Sequence, residues 1–66
     1  MKQIGILKVI TGQTAKVFFD VEYSEHIVKF YDDEGQHLTD ADYHTDNEED
    51  ARGTARAELE RMKAQD

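Results

Sequence analysis

Between Asp40 and Glu48 the chain reads Asp40-Ala41-Asp42-Tyr43-His44-Thr45-Asp46-Asn47-Glu48, and its near-alternating side-chain oxygens have the rhythm of a calcium-binding loop. The match fails where the chemistry is most demanding. Counted from Asp40, position 6 is Thr45, where such a loop needs Gly for its sharp turn. Position 12 is Ala51, where it needs a bidentate Glu. His37 and His44 could join carboxylates on a metal, but their separation of seven positions belongs to no compact ligand motif, so they are read as surface histidines. There is no Cys, and the single Ser, Ser24, stands in a turn with no Gly-x-Ser-x-Gly context, which leaves nucleophilic catalysis with little support. Paired carboxylates acting as acid and base need a pocket that a thin two-layer fold rarely encloses. No enzyme, metal site or cofactor is expected.

What the residues do supply in quantity is negative charge. The 66 residues carry Asp+Glu 15 against Lys+Arg 8, a net charge of −7 and a pI near 4.7. The distribution is uneven. Residues 1 to 19 hold Lys2, Lys8 and Lys16 and no acid. Residues 20 to 50 hold Asp20, Glu22, Glu25, Asp32, Asp33, Glu34, Asp40, Asp42, Asp46, Glu48, Glu49 and Asp50 against Lys29 alone, 12 acids less one base, or −11. Residues 51 to 66 return to near balance, with Arg52, Arg56, Arg61 and Lys63 against Glu58, Glu60 and Asp66. Duplex DNA carries one charge per about 1.7 Å of axis, so −11 equals roughly 19 Å of duplex. A compact chain of this length is about 28 Å across. The two charge densities are comparable, and self-repulsion of this kind destabilises a small domain. Direct nucleic-acid binding is excluded by the same charge; Arg52, Arg56 and Lys63 form at most a modest basic edge, expected to pair with Glu48, Glu49 and Glu60 at helical spacing.

The acids need a scaffold, and the apolar residues specify one. Alternation of Ala15, Val17, Phe19 and Val21 with Lys16, Phe18, Asp20 and Glu22 predicts a half-buried strand over 15–22. A run over 3–10, with Ile4, Ile6 and Ile10 on one side and Leu7 and Val9 on the other, predicts a strand with two apolar faces, suited to the centre of a sheet. A third strand over 27–31 places Val28 and Phe30 together, and a short fourth is expected over 36–40, after the turn Asp32-Asp33-Glu34-Gly35. Thr11-Gly12-Gln13-Thr14 and Tyr23-Ser24-Glu25-His26 are the other turns, and such short connections predict an antiparallel meander. The last third changes period. Ala51, Ala55, Leu59 and Met62 form a helical stripe over 46–63, and Thr45-Asp46-Asn47-Glu48 has the form of a capping box with Thr45 as N-cap. Acids then fill the first turn and Arg61 and Lys63 the last, in accord with the helix dipole. Gly53 stands inside this helix, a position that could allow close approach to the sheet. One α+β domain is expected over 1–66, an antiparallel meander of three to four strands packed by one C-terminal helix.

No stretch of 18 apolar residues is present, and MKQIGILKVITG is too short and broken in its apolar run for a signal peptide, so a cytoplasmic location is expected, consistent with the absence of Cys.

In layout, a very short, acidic, cysteine-free chain of a few strands followed by a capped helix resembles the small phage and mobile-element inhibitors of bacterial defence, the anti-CRISPR proteins of type I systems. It is most similar to those that act as DNA mimics against the Cascade surveillance complex. The likeness is carried by Asp32-Asp33-Glu34-Gly35 and by the stretch from Asp40 to Ala51. The resemblance implies a host cell's cytoplasm as the site of action and a basic DNA-binding partner, the large subunit of Cascade among the candidates and type I-C the system expected. It also implies a mechanism, blocking of the DNA- or PAM-binding site. The contact residues expected are Asp32, Asp33, Glu34, Asp40, Asp42, Asp46, Glu48, Glu49 and Asp50, on a monomer. The alternative is an antitoxin-like or regulatory module that docks by its helix or an edge strand, with Arg52, Arg56, Leu59 and Met62 in contact and the acids serving solubility.

Overall fold

The computed structural model describes the backbone of residues 1–64 and the side chains of residues 1–62. Four strands, β1 (Lys2–Lys8), β2 (Thr14–Asp20), β3 (Glu25–Tyr31) and β4 (Tyr43–Thr45), form one open antiparallel sheet in sequence order, and helix α1 (Glu48–Ala64) lies across one face of it. This is the α+β meander with a C-terminal helix that the periodicities predict. Ala15 and Val17 of β2 and Val28 and Phe30 of β3 meet Ala51, Ala55 and Leu59 of α1, all buried, and Ile4, Leu7, Val9, Leu38, Ala41, Tyr43 and Met62 close the margins. Burial of each large side chain contributes about 1.5–3 kcal/mol. The small Ala51 and Ala55 let the helix approach the sheet closely. Gly53 has no part in this, because nothing lies within 4 Å of the position its Cβ would take and it faces solvent.

The structure departs from the sequence reading at several places; β2 stops at Asp20 rather than at 22, and Glu25 and His26, expected in a turn, instead pair with Asp20 and Phe19 at the start of β3. β1 is an edge strand rather than a central one, and it ends at Lys8. A register shift between Gln3 and Gly5 turns both Ile4 and Leu7 toward the helix and leaves Ile6 57% exposed on the other side, which undoes the expected grouping of Ile4, Ile6 and Ile10. The strand stops because Val9 and Gln13 close a turn in which Gly12 takes φ 104°.

The expected strand over 36–40 does not form; pairing resumes at Tyr43 instead. Only His37 bridges Tyr31. The intervening chain serves the core: Leu38 donates its amide to the Phe30 carbonyl, and a single 3₁₀ turn over Thr39–Ala41 brings Leu38 and Ala41 against the buried cluster. At the helix start, Asn47 rather than Thr45 is the N-cap. Its Oδ1 accepts the Asp50 amide at 3.0 Å and its carbonyl accepts the Ala51 amide. The Thr45 hydroxyl accepts the Asn47 amide at 3.3 Å, so the expected capping box is absent and Glu48 is free to pair with Arg52.

Candidate partner-binding surface

The acidic residues sit where the meander turns. Asp32, Asp33 and Glu34 follow β3, and this turn backs onto the β1–β2 turn at Gly12. One Asp32 oxygen accepts the amides of Glu34 and Gln36, each at 2.9 Å, so this carboxylate builds the turn that holds its two neighbours outward. Asp40 stands exposed on the 3₁₀ turn, and Asp42 binds His37 Nε2 at 2.7 Å. At the far end of the strands β4 finishes with Thr45 opposite His26, and Asp46, Glu48 and Glu49 are exposed there. The β2–β3 turn lies at this same end and adds Asp20, Glu22 and Glu25.

The expected residues therefore do not form one patch. They fall into two groups at opposite ends of β3, with Asp40 and Asp42 on the chain between β3 and β4. Six steps of about 3.3 Å along β3 separate the groups by roughly 20 Å. The molecule is 36 × 20 × 19 Å with a radius of gyration of 11.3 Å, so the two groups span a large part of its length. Asp20, Glu22 and Glu25 were not among the expected contacts; the period-2 register of the 15–22 strand and the turn after it is the signal that places them beside Asp46.

Own-chain neutralisation is limited. Glu48 pairs with Arg52 Nε at 3.0 Å, and Arg52 also donates to the Ile4 carbonyl at 3.2 Å across Gly5. Asp50 accepts the Tyr43 hydroxyl at 2.6 Å. That bond, with help from Thr45, holds the Asp50 carboxyl below the usual carboxylate range, and the same bond raises the Tyr43 hydroxyl above its ordinary value. Glu25 binds His44 Nδ1 at 2.7 Å. Asp33, Glu34, Asp40, Asp46 and Glu49 make no ion pair or side-chain hydrogen bond among the described residues. The basic side of the helix behaves unevenly. Arg61 pairs with Glu58 and Arg52 with Glu48, whereas Arg56 has no ion pair among the described residues, and the Lys63 side chain lies outside them.

No family model, curated protein or solved structure matches this chain.

A shallow groove of about 360 Å³ beside the helix N-terminus is lined by Lys2, Ile4, Phe19, Val21, His26 and Glu48. His26 is buried, its ring tilted on Phe19 with centroids 4.9 Å apart, and its Nε2 lies 3.9 Å from Glu48, too far for a hydrogen bond. Among the described residues its Nδ1 has no hydrogen-bond partner. Among the described residues no group of three or more His, Cys, Asp or Glu side chains could hold a metal ion, and no helix is long and apolar enough to cross a membrane.

Proposed function

We propose that this chain is a binding protein that inhibits a nucleic-acid-targeting defence complex by presenting carboxylates to a basic DNA-binding surface, in the manner of anti-CRISPR DNA mimics. The observation that carries the reading is the pair of exposed carboxylate groups at the two ends of β3, with Asp40 on the 3₁₀ turn between β3 and β4. Asp33 and Glu34 stand at one end, Asp40 between, and Asp46 and Glu49 at the other, without partners in the described residues and over roughly 20 Å. Duplex DNA carries about 12 charges over that length, so these five carboxylates give a little under half its charge density. A partner groove of Lys and Arg built for phosphates would release the same counterions to them as to DNA. The carboxylates are fixed by turns and a capped helix, which lowers the ordering cost of binding.

The test uses charge reversal at residues that hold no structure together. Asp33→Lys with Glu34→Lys and, separately, Asp46→Lys with Glu49→Lys are expected to weaken binding to the large subunit of a type I-C Cascade by at least tenfold each and to relieve competition with target DNA. Circular dichroism should be unchanged. Inhibition that persists undiminished in both variants would remove the mimicry. The alternative, docking through the helix, finds less support: Leu59 is buried in the core, Met62 packs at its margin and Arg52 is held by Glu48 and Ile4.

A further inference from the structure

The helix covers one face of the sheet, and the other face is open. Alternation along the strands places on it half-buried Phe18 and Ile27, the latter only 7% exposed beneath its neighbours, paired directly across β2 and β3, with Gln3 beside Phe18 and His44 beside Ile27. Two residues along in one direction, Lys16 is paired with Lys29 and flanked by Ile6, the exposed isoleucine of β1. Two residues along in the other direction, Asp20 is paired with Glu25. Like charges directly opposite one another on neighbouring strands are destabilising, and this face carries two such pairs of opposite sign, equally spaced on either side of an apolar pair.

The lysines are not neutralised within the chain. Lys16 Nζ sits 4.8 Å from the Tyr31 ring and Lys29 Nζ 5.4 Å from the Phe18 ring, and neither makes an ion pair among the described residues. The acids are already engaged within the chain: Glu25 binds His44 Nδ1 at 2.7 Å, one Asp20 oxygen accepts the Glu22 amide at 3.0 Å, and Asp42 binds His37, so Asp20 and Glu25 each have one oxygen left for an outside lysine.

We infer that the open face is the interface of a symmetric dimer, two copies packed sheet to sheet about a two-fold axis that runs perpendicular to the strands through the Phe18–Ile27 row. Such an axis reverses strand direction. It sets Phe18 on Phe18 and Ile27 on Ile27 of the second copy, Asp20 over Lys16, and Glu25 over Lys29, and each opposition occurs twice. Aligned sheets about 10 Å apart bring side chains of facing rows into contact. The pattern is self-complementary in both charge and polarity. A single-stranded nucleic acid or an acidic peptide would answer Lys16 and Lys29 but would be repelled by Asp20 and Glu25 in the same column.

The sheet edges are poorer candidates. β1 has Lys2 and Lys8 at its ends and an irregularity between Gln3 and Gly5, and β4 is three residues long. Three strands of seven residues and one of three, at about 3.3 Å per residue and about 4.8 Å apart, give roughly 330–380 Å² per copy. That is small for a permanent dimer, so association is reversible and depends on concentration. Asp33, Glu34, Asp40, Asp46 and Glu49 stay exposed in this arrangement, and the inference does not rest on the partner proposed above.

Sedimentation equilibrium from about 10 μM to about 1 mM should show monomer passing into dimer. Two variants make the test sharp. Lys16→Glu with Lys29→Glu takes the net charge from −7 to −11, and Asp20→Lys with Glu25→Lys takes it to −3. Each alone should stay monomeric, because like charges then face each other in every column. Mixed in equal amounts, they should form a heterodimer at least tenfold tighter than the wild-type dimer, although both are net negative and would otherwise repel. If either variant fails to fold, the chain carrying all four exchanges keeps the net charge of −7 and should dimerise as the wild type does. A wild-type monomer at the top of the range, single variants that dimerise normally, or a mixture that stays monomeric would each overturn the assignment. Salt-sensitive binding of a single-stranded oligonucleotide at Lys16 and Lys29 by such a monomer would give the face to single strands instead.

Discussion

Asp50 joins three jobs at one carboxylate. It stands in the first turn of α1, it accepts the Tyr43 hydroxyl from β4, and its amide is capped by Asn47. Because the Tyr43 bond, then Thr45, holds its carboxyl below the ordinary value, the unfolded chain binds that proton more tightly. The stabilisation is therefore complete above the unfolded value and lost as pH falls through the lower folded one. For Tyr43 the sign reverses. Its hydroxyl is raised chiefly by Asp50, so its contribution is complete below the unfolded value near 10 and lost as pH rises through the higher folded one. Tyr43→Phe should return the Asp50 carboxyl upward in a carbon-detected NMR titration; an unmoved Asp50 midpoint would mean that the bond is absent in solution.

Two glycines test the backbone reading with opposite signs. At Gly12, φ is 104° and an added Cβ would meet Asp33 Cβ at 3.0 Å, so Gly12→Ala should cost about 1–2 kcal/mol. Gly53 sits in the helix with open space around it, so Gly53→Ala should gain about 0.5–1 kcal/mol. Urea denaturation measures both, and equal effects would contradict the structure.

At the scale of elements, the decisive feature is how the chain enters the helix. Asn47→Ala removes the acceptor for the Asp50 amide and should cost about 1 kcal/mol, whereas Thr45→Val, which loses one long hydrogen bond and an exposed contact with the Asp50 carboxylate, should cost less, about 0.5 kcal/mol in the same denaturation assay. A larger loss at Thr45 would restore it as the cap. The sequence reading chose Thr45 because Glu48 stands three positions on. The pairing of Glu48 with Arg52 at helical spacing was also legible in the sequence, and it is this partner that takes the carboxylate. The strand expected over 15–22 ends at Asp20, with Val21 73% exposed in the turn, but the alternation at Ala15 and Val17 and the stripe Ala51, Ala55, Leu59 and Met62 were legible because each is set by a single buried face. The segment over 36–42 was not, since its shape is dictated by Leu38 and Ala41 reaching the core rather than by local pattern. The same limit applies to the acids: their number was plain in the sequence, but their division between the two ends of β3 depends on strand direction and on where β4 resumes.

At the scale of the whole molecule, one net charge acts on two equilibria with opposite signs. A charge of −7 held within 36 × 20 × 19 Å repels itself in the folded state more than in the expanded unfolded chain. Added salt screens that repulsion, with a Debye length falling from about 30 Å at 0.01 M to about 8 Å at 0.15 M. Few of the chain's own ion pairs offset this, because they are surface pairs of small worth. Raising ionic strength across that range should therefore increase thermal stability, and a gain of about 1 kcal/mol would appear as about 4–8 °C in Tm for a chain of this size. Binding to a basic partner should move the other way, weakening as the counterions that DNA-like contact releases become less dilute. Scanning calorimetry and a binding titration on one salt series read the two slopes together. Opposite slopes are what so many outward carboxylates demand; a Tm that falls with salt would mean that internal ion pairs, not the repulsion among these acids, dominate the electrostatics of the fold.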